Sequence, residues 1–392
     1  MKKKECLSCP EAYRVGWGSR VIFCNGERGD VIDSYRERGD ILREFLELYP
    51  NHSCSKRKPL SLRKESRPES KAIFPSPYYK QASFLYLMLN HRCNNDCRFC
   101  YLGNKKKTAN RPFPEIKKII EEAPEKKITL FGGEPTINPF FFTIVDLLQR
   151  KGKKIKMTTN ARKFSERTFT SRFFVQDFEQ ITVSLHSFKK KEHEYLTNSP
   201  GFTETVRGIQ NIARYKKNKT RIRANIVIHK RNYKDLRRIV QFAAELGVNT
   251  IRLNGLGVSM VKNAAYNREL AVDPGLTIPF ISDAVEYLRA KQKNIRCYVS
   301  NHPFCYFPQI FWPFLSNRRL TLEKHSDELA LYPQGTLSAT LSAACADCVV
   351  KEHCPGFYYS SLLCFNKSID AKLKPISEQE KNNFLETHKF RP

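Results

Sequence analysis

Three cysteines that lie close together, Cys93, Cys97 and Cys100, are the residues of this sequence best suited to chemistry. Their spacing is Cys-x3-Cys-x2-Cys, and they come directly after the apolar residues 84–89. A tetrahedral zinc or mononuclear iron site needs four ligands. A cubane iron–sulfur cluster on three thiolates instead keeps one iron open for an outside ligand. The spacing therefore predicts a metal centre, either this open cluster or a zinc loop whose fourth ligand lies elsewhere.

A second motif, F-G-G-E-P at positions 131–135, follows the strand-like residues 127–130. Together with the cysteine spacing and the aromatic Phe99 before the last cysteine, it resembles the signature of the radical S-adenosylmethionine (radical SAM) superfamily. The resemblance covers residues 84–256. It implies a 4Fe-4S cluster on the three cysteines that binds S-adenosylmethionine (SAM), and reductive cleavage of SAM to a 5′-deoxyadenosyl radical that takes a hydrogen atom from the substrate.

The same resemblance implies roles for single residues at strand ends. The implied SAM contacts are Gly132, Gly133 and Glu134 to the methionyl amino group, Phe99 and its loop to the adenine, and Ser184 to the ribose or carboxylate. Thr159 and Arg223 match positions that contact substrate in related enzymes, and a guanidinium also suits an anionic substrate. Considered without the family, Ser184, Asn160 and His186 are explained equally well as local structure at the ends of strands.

The pattern from residue 84 onward alternates strands with helices. The predicted strands are 84–89, 128–130, 154–158, 181–185, 221–228 and 250–253, and the predicted helices are 113–122, 139–151, 202–215 and 234–246. Such alternation indicates right-handed β-α-β units and a parallel sheet. Six units suit the partial (β/α)6 radical SAM barrel of an α/β protein, here expected over residues 81–258. A doubly wound sheet would show the same alternation, and the motifs favour the barrel.

A small cysteine-containing region is expected at residues 1–54, joined to the barrel by a basic, proline-containing linker at 55–80. It resembles a zinc ribbon or rubredoxin knuckle, and its candidate ligands are Cys6, Cys9 and Cys24. The fourth ligand is left open between Cys54, Glu27 and none. Free buried thiols are the alternative explanation.

Cysteines return after the barrel, in residues 259–392, which begin with a predicted helix at 274–292 and a strand at 295–299. Four of them are candidate ligands of a closed cluster: Cys305, Cys345, Cys348 and Cys354. This arrangement resembles the twitch or SPASM extensions of radical SAM peptide maturases, loosely those of the His-Xaa-Ser type, and implies one auxiliary 4Fe-4S cluster. Thiolate sites for zinc look alike in sequence, so zinc remains the alternative. Cys297 and Cys364 receive no role.

Composition restricts the partners without naming one. The formal net charge is +29, which favours a polyanionic partner such as RNA, an acidic peptide or a nucleotide, unless the lysines are solvated charges spread over every face. No apolar run reaches the ~20 residues that span a bilayer, and no secretory signal follows the basic first residues. The thirteen clustered cysteines then favour metal ligation in the cytoplasm.

Three function classes follow. The auxiliary-cluster region favours a radical SAM enzyme that modifies a peptide or protein, with an external electron donor and no membrane partner. The charge favours a radical SAM enzyme that modifies RNA. A zinc protein that binds nucleic acid without catalysis would leave the motif at 131–135 unexplained.

Overall fold

The computed structural model describes the middle of the chain almost without a break and the two ends in short pieces. The described residues are 12–15, 21–24, 31–33, 84–100, 110–256, 269–292, 294–315, 322–325, 331–333, 339–340, 345, 347–351, 354, 356–358 and 373–387. The predicted linker at 55–80 lies outside them, as do Cys6, Cys9, Cys54 and Cys364.

Three strands of the N-terminal region are described, β1 (Ala12–Val15), β2 (Val21–Cys24) and β3 (Val31–Asp33). They form an antiparallel sheet in the order β1-β2-β3. β1 pairs with β2 from Ala12 opposite Cys24 to Val15 opposite Val21, and Cys24 is the last residue of β2. The metal site predicted for this region stays a prediction.

The centre of the molecule is a parallel sheet. Its strands are β4 (Phe84–Met88), β5 (Lys127–Phe131), β6 (Lys154–Thr159), β7 (Gln180–Ser184), β8 (Arg221–Ile228), β9 (Thr250–Gly255) and β10 (Arg296–Ser300). They lie side by side in chain order, and each neighbouring pair is parallel. The predicted α/β partial barrel is therefore confirmed. Six strands were expected, and β10 adds a seventh.

The seventh strand shows that the sheet continues past residue 258, where the sequence suggested a domain boundary. Helix α7 (Pro274–Lys291) leads into β10, and β10 pairs in parallel with β9 from Arg296 opposite Thr250 to Ser300 opposite Asn254. On the other edge, β11 (Leu322–His325) pairs in parallel with β4, and β12 (Leu331–Pro333) pairs antiparallel with β11. The change in cysteine density suggested a boundary, but the helix–strand alternation runs on across it.

Helices cover one face of this sheet. Before α7 they are α1 (Phe113–Glu122), α2 (Phe141–Arg150), α3 (Arg167–Phe173), α4 (Lys190–Thr197), α5 (Phe202–Tyr215) and α6 (Leu236–Glu245); α8 (Glu378–Thr387) follows near the C-terminus. Three of them, α3, α4 and α8, were not expected from the sequence, because α3 is short and α4 and α8 are mostly charged or polar. Among the helices described, none combines the length and the apolar character that a membrane crossing requires.

The apolar core lies between the helices and one face of the strands. In β8, Ile222, Ala224 and Ile226 are fully buried in this core, while Arg221 and Arg223 alternate with them and are only partly buried. Because successive side chains in a strand point to opposite faces, the arginines lie on the inner face of the partial barrel. A short antiparallel pair, β13 (Ala339–Thr340) with β14 (Phe357–Tyr358), belongs to the cysteine-rich tail.

Candidate functional site

The cysteine loop, residues 90–100, leaves the C-terminal end of β4, where parallel α/β folds place their chemistry. Cys93, Cys97 and Cys100 are free thiols that are all partly exposed. A tight turn joins the last two, because the N–H of Cys100 donates to the carbonyl of Cys97 at 3.1 Å. The N–H of Asn95 donates to the Cys93 sulfur at 3.4 Å, a contact that stabilises a thiolate more than a neutral thiol.

The glycines of the motif at 131–135 hold this loop against the sheet. The N–H of Gly133 donates to the carbonyl of Asn90 at 2.8 Å, and the N–H of Glu134 donates to the carbonyl of Arg92 at 2.8 Å. A Cβ atom would lie 2.3 Å from the Asn90 oxygen at Gly132 and 1.9 Å from the Arg92 oxygen at Gly133. The close approach that requires these glycines is therefore to the chain's own cysteine loop. Their predicted contact with SAM stays a prediction.

Glu134 is buried, and its carboxylate is bound by neighbouring strand ends. Oε1 accepts from the hydroxyls of Thr136 at 2.6 Å and Thr159 at 2.7 Å, and Oε2 accepts from the N–H of Asn160 at 2.7 Å. Burial raises the pKa of this carboxyl, and the hydrogen bonds act in the opposite direction. The carboxylate thus joins the end of β5 to the end of β6. Any contact with the amino group of SAM would be added to these bonds.

Thr159 and Asn160, at the end of β6, also make hydrogen bonds to other residues of the protein. Thr159 is 2% exposed; besides its bond to Glu134, its oxygen accepts from the N–H of Ala161 at 3.0 Å. The side-chain amide of Asn160 donates to Asn94 of the cysteine loop at 2.6 Å and lies 3.9 Å from the Cys93 sulfur. Asn160 therefore supports the loop, and the substrate contact predicted for Thr159 is left untested by this arrangement.

Arg162, which the sequence analysis missed, is the main side-chain support of the loop. One of its terminal nitrogens donates to the Asn94 carbonyl, to the Asn95 side chain at 3.0 Å and to the Ser199 hydroxyl at 2.8 Å. Its Nε is bonded to Glu204 of α5. The sequence signal was weak, since an arginine three residues after a strand is common.

Helix α4 supports the loop from the other side. The N–H groups of Asp96 and Arg98 each donate, at 2.9 Å, to carbonyls in its last turn, those of Thr197 and Leu196. The Nε of Arg98 donates to the carbonyl of Tyr195 at 2.8 Å. The last carbonyls of a helix have no partner within the helix, so the cysteine loop satisfies them.

Phe99 belongs to the cysteine loop after β4, and Ser184 is the last residue of β7. The Phe99 ring meets the ring of His186 edge to face, with centroids 5.0 Å apart. His186 is buried, its Nδ1 accepts from the N–H of Val227 at 3.3 Å, and burial keeps its pKa well below the usual value. His186 is thus neutral and part of the support for Phe99. Ser184 ends β7 opposite Asn225 of β8, and both side chains are partly exposed.

Arg223 lies on the inner face two residues below Asn225. Its guanidinium donates to the Gln180 side chain at 2.9 Å and stands over the Tyr298 ring at 5.0 Å from the centroid. Its Nε is buried and has no hydrogen-bond partner among the described residues. The substrate contact predicted for Arg223 stays a prediction, and this position is compatible with it.

The four tail cysteines are brought together, whereas Cys297 is not among them. The pKa of Cys305 is raised to about 11 and that of Cys354 to about 12, chiefly by burial and in part by nearby sulfurs of the other tail cysteines. Backbone N–H groups point at the sulfurs: Gly356 donates to Cys354 and Ile376 donates to Cys348, both at 3.4 Å. Cys297 faces the core, and burial alone raises its pKa to about 12.

Within the described ranges, no three side chains among cysteine, histidine, aspartate and glutamate gather closely enough to hold a single ion. The auxiliary cluster predicted for the tail and its zinc alternative both stay predictions.

A family model matches the central part of the chain. The model described as the radical SAM superfamily matches residues 87–243, from within β4 into α6. This part of the chain is similar to the radical SAM superfamily. The family implies a 4Fe-4S cluster and SAM, and the loop with three cysteines at the C-terminal end of β4 is the part of the domain that fits the cluster.

The similar proteins include probable GTP 3′,8-cyclases and, among solved structures, SuiB and anSMEcpe. The chain is 28% identical over 223 residues to a probable GTP 3′,8-cyclase of Sulfurisphaera tokodaii, which is 55% of this chain and 70% of that protein. It spans 56% of the length of a similar protein of Metallosphaera sedula at 27% identity. Among solved structures, Streptococcus suis SuiB bound to S-adenosylmethionine covers 72% of this chain and 74% of its own, with a TM-score of 0.53 and 16% identity. The anSMEcpe structure with AdoMet and the Cp18Cys peptide covers 78% and 96%, with a TM-score of 0.51 and 14% identity. At these identities the structures establish the fold of a radical SAM protein and no more.

Proposed function

We propose that this radical SAM protein cleaves SAM at a cluster on Cys93, Cys97 and Cys100 and uses the 5′-deoxyadenosyl radical to modify a peptide or protein. The observation that carries the peptide assignment is the set of four tail thiols, Cys305, Cys345, Cys348 and Cys354. They lie near one another with backbone N–H groups directed at their sulfurs. A closed auxiliary cluster there is the feature by which the sequence resembles radical SAM peptide maturases.

The chain's own contribution to this function is positioning. When bound, the cluster and SAM supply the electron transfer and the radical. Arg162, Asn160 and the last turn of α4 hold the cysteine loop in place. Ser184 at the C-terminal end of β7 and Asn225 opposite it on β8 offer polar groups on the inner face. Phe99, fixed against the neutral His186, presents a ring face for stacking with the adenine.

A second candidate function is the modification of a small phosphorylated molecule. It is supported by the similarity to probable GTP 3′,8-cyclases and by the cationic inner face of the barrel around Arg223. RNA modification, which the net charge alone suggested, receives no support from a particular contact of the described residues.

The first experiment is SAM cleavage by the anaerobically reconstituted, dithionite-reduced chain. Wild-type protein should form 5′-deoxyadenosine, and the variant with Cys93, Cys97 and Cys100 all replaced by Ala should form none, because three thiolates are the ligands of the open cluster. The matched control is Cys297→Ala, which removes a thiol from the core and should retain cleavage. 5′-Deoxyadenosine from the triple variant would contradict the proposal.

Metal analysis of the same preparations tests the tail. Replacing Cys345 and Cys348 together by Ala should lower the iron content by about four per chain, as loss of one cubane requires, while Cys297→Ala should leave it unchanged. About one zinc per chain that disappears in the double variant would contradict the auxiliary cluster and, with it, most of the support for a peptide substrate.

A further inference from the structure

The inner face of the partial barrel carries an unusual concentration of positive charge. Two cross-strand rows define it. In the deeper row, Lys156, Gln180 and Arg221 lie opposite one another on β6, β7 and β8, and in the next row Arg223 lies opposite Thr182. Ser184 and Asn225, at the site, form the row above. Adjacent rows are two residues apart, or about 7 Å along the strand.

We call Lys127, Lys156, Arg221 and Arg223 the cationic floor. The carboxylate near it is that of Glu179, whose Oε1 lies 2.8 Å from Arg221 and 4.0 Å from Lys156. Burial is the first reason that the pKa of Lys156 is lowered; attraction by Glu179 raises it, and the positive charges of Arg223, Lys127 and Arg221 lower it. Arg223, Lys127 and Arg221 are thus each close enough to Lys156 for their charges to act on it.

Arg223 has a buried hydrogen-bond donor without a partner among the described residues. Gln180 occupies one terminal nitrogen, and the Tyr298 ring covers one side of the guanidinium. The Nε–H is buried and has no partner in the described part of the chain. Buried donors in folded proteins are nearly always bonded, because an unmade bond loses the full solvation of the group. An arginine with a buried N–H that lacks a partner among the described residues, near the further cation Lys156, is typical of a site that binds an oxyanion.

We propose that the cationic floor binds an oxyanion of the substrate, a phosphate or a carboxylate, with Arg223 as its principal ligand. This inference rests on the proposed function in one respect: the molecule bound is the substrate of the radical reaction. Below the row of Ser184 and Asn225, Arg223 lies about 7 Å away and Lys156 and Arg221 about 13 Å away, and Lys127 lies one row deeper. A substrate anchored there extends upward to the cysteine loop, where its reacting carbon lies next to SAM.

The spread of the cations fits more than one anionic group. Lys156 on β6 and Arg221 on β8 are separated by two strand spacings, about 10 Å. An oligophosphate and a peptide with neighbouring acidic side chains both reach across this distance. The two sources share the oxyanion chemistry and differ in the probe that binds.

The test is equilibrium binding to the full-length chain, without SAM, at an ionic strength of about 0.1 M, where interactions between distant exposed charges are screened. The two probes are inorganic diphosphate and the dipeptide Glu-Glu. At least one should bind, and Arg223→Gln should weaken its binding about tenfold or more, because a desolvated charge partner is lost. Preference for diphosphate identifies a phosphorylated substrate, and preference for Glu-Glu an acidic peptide.

Lys118→Gln is the matched control, because it removes one positive charge from the outer surface of α1, where the Lys118 side chain is 74% exposed. It should change affinity by less than about twofold. Lys156→Gln is a second floor variant in case Arg223→Gln does not fold, as judged by thermal unfolding. Binding of neither probe, or equal weakening by Lys118→Gln, would overturn the proposal. Failure of the proposed function would appear differently, as intact oxyanion binding without 5′-deoxyadenosine.

Discussion

Gly133 is the residue at which β5 and the cysteine loop come closest. Its N–H bonds to Asn90, and the space that a Cβ would take is filled by the backbone of His91 and Arg92. Backbone atoms cannot rotate out of the way as a side chain can. The geometry of the three thiols therefore depends on the absence of one methyl group on the neighbouring strand.

Gly133→Ala should destabilise the protein and impair cluster loading. A Cβ 1.9 Å from the Arg92 oxygen forces the loop away from β5, at a cost of about 1–3 kcal/mol or more, as for overpacked cores. Iron content after reconstitution and urea unfolding would measure the two effects.

Gly152→Ala is the comparison, because an added Cβ there meets nothing within 4 Å, although the φ of +65° is left-handed. It should cost about 1–2 kcal/mol from the backbone alone and leave iron loading unchanged. Normal iron loading in Gly133→Ala would show that the close contact does not position the cysteines.

At the scale of elements, the cysteine loop is held between the end of β6 and the end of α4. Each contributes groups that a strand or helix terminus leaves unpaired, namely the carbonyls of the last turn of α4 and the side chains at the end of β6. Arg98 adds a positive charge at the C-terminal end of α4, which the helix dipole favours. The loop is thus a junction between two elements.

Arg98→Met should loosen this junction. It removes the bond to the Tyr195 carbonyl and the stacking over the Tyr195 ring at 4.4 Å, a loss of about 1–2 kcal/mol for a partly buried charged hydrogen bond. Amide hydrogen exchange in the cluster-free protein should become faster at residues 94–100 and 195–198.

Arg238→Met is the matched control, since Arg238 also stacks on an aromatic ring, that of Phe188 at 4.5 Å, but lies on α6. It should leave exchange at residues 94–100 unchanged. Equal acceleration by both variants would mean that α4 does not hold the loop.

At the scale of the whole molecule, buried histidines link stability to pH. Burial lowers the pKa of His193 to about 4, that of His229 to about 3 and that of His302 to about 4, and it also lowers the pKa of His186. In the unfolded chain each would titrate near its ordinary value of about 6.5. Below that pH the unfolded chain takes up protons that the folded chain does not.

The free energy of unfolding should therefore be fully retained above about pH 6.5 and fall as the pH drops toward about 4, by up to about 1.4 kcal/mol per pH unit for each histidine. Glu134 has the opposite sign, because its pKa is raised and its contribution is lost as pH rises. Glu134 is a single group, and its effect on the free energy of unfolding opposes that of the four histidines. Urea unfolding between about pH 7 and about pH 5 measures the slope.

His229→Asn keeps an acceptor for the N–H of Arg231, which His229 Nδ1 accepts at 3.1 Å, and removes one titrating group. In this variant the free energy of unfolding should change less steeply with pH, by up to about 1.4 kcal/mol per pH unit. An unchanged slope would show that His229 is not buried and neutral in solution.

The sequence by itself determined the parts that depend on neighbours along the chain. The Cys-x3-Cys-x2-Cys spacing and the motif at 131–135 are local, and so is the apolar periodicity that predicted α1, α5 and β8 with the observed bounds. Three short helices, α3, α4 and α8, escaped prediction, because segments such as the eight residues of α4 carry too little apolar pattern to distinguish a helix from a polar loop.

Only the tertiary structure decided which distant residues meet. Arg162 reaches Asn95 across 67 positions, and Arg98 reaches Tyr195 across 97. These contacts join the cysteine loop after β4 to segments that follow β6 and β7, two and three strands away in the sheet. The same order turned β10 into a seventh strand and gathered Lys156, Arg221 and Arg223 on one inner face. The spacing of apolar residues along the chain determines whether a segment forms a helix or a strand. Which elements become neighbours depends on how their apolar faces are buried together.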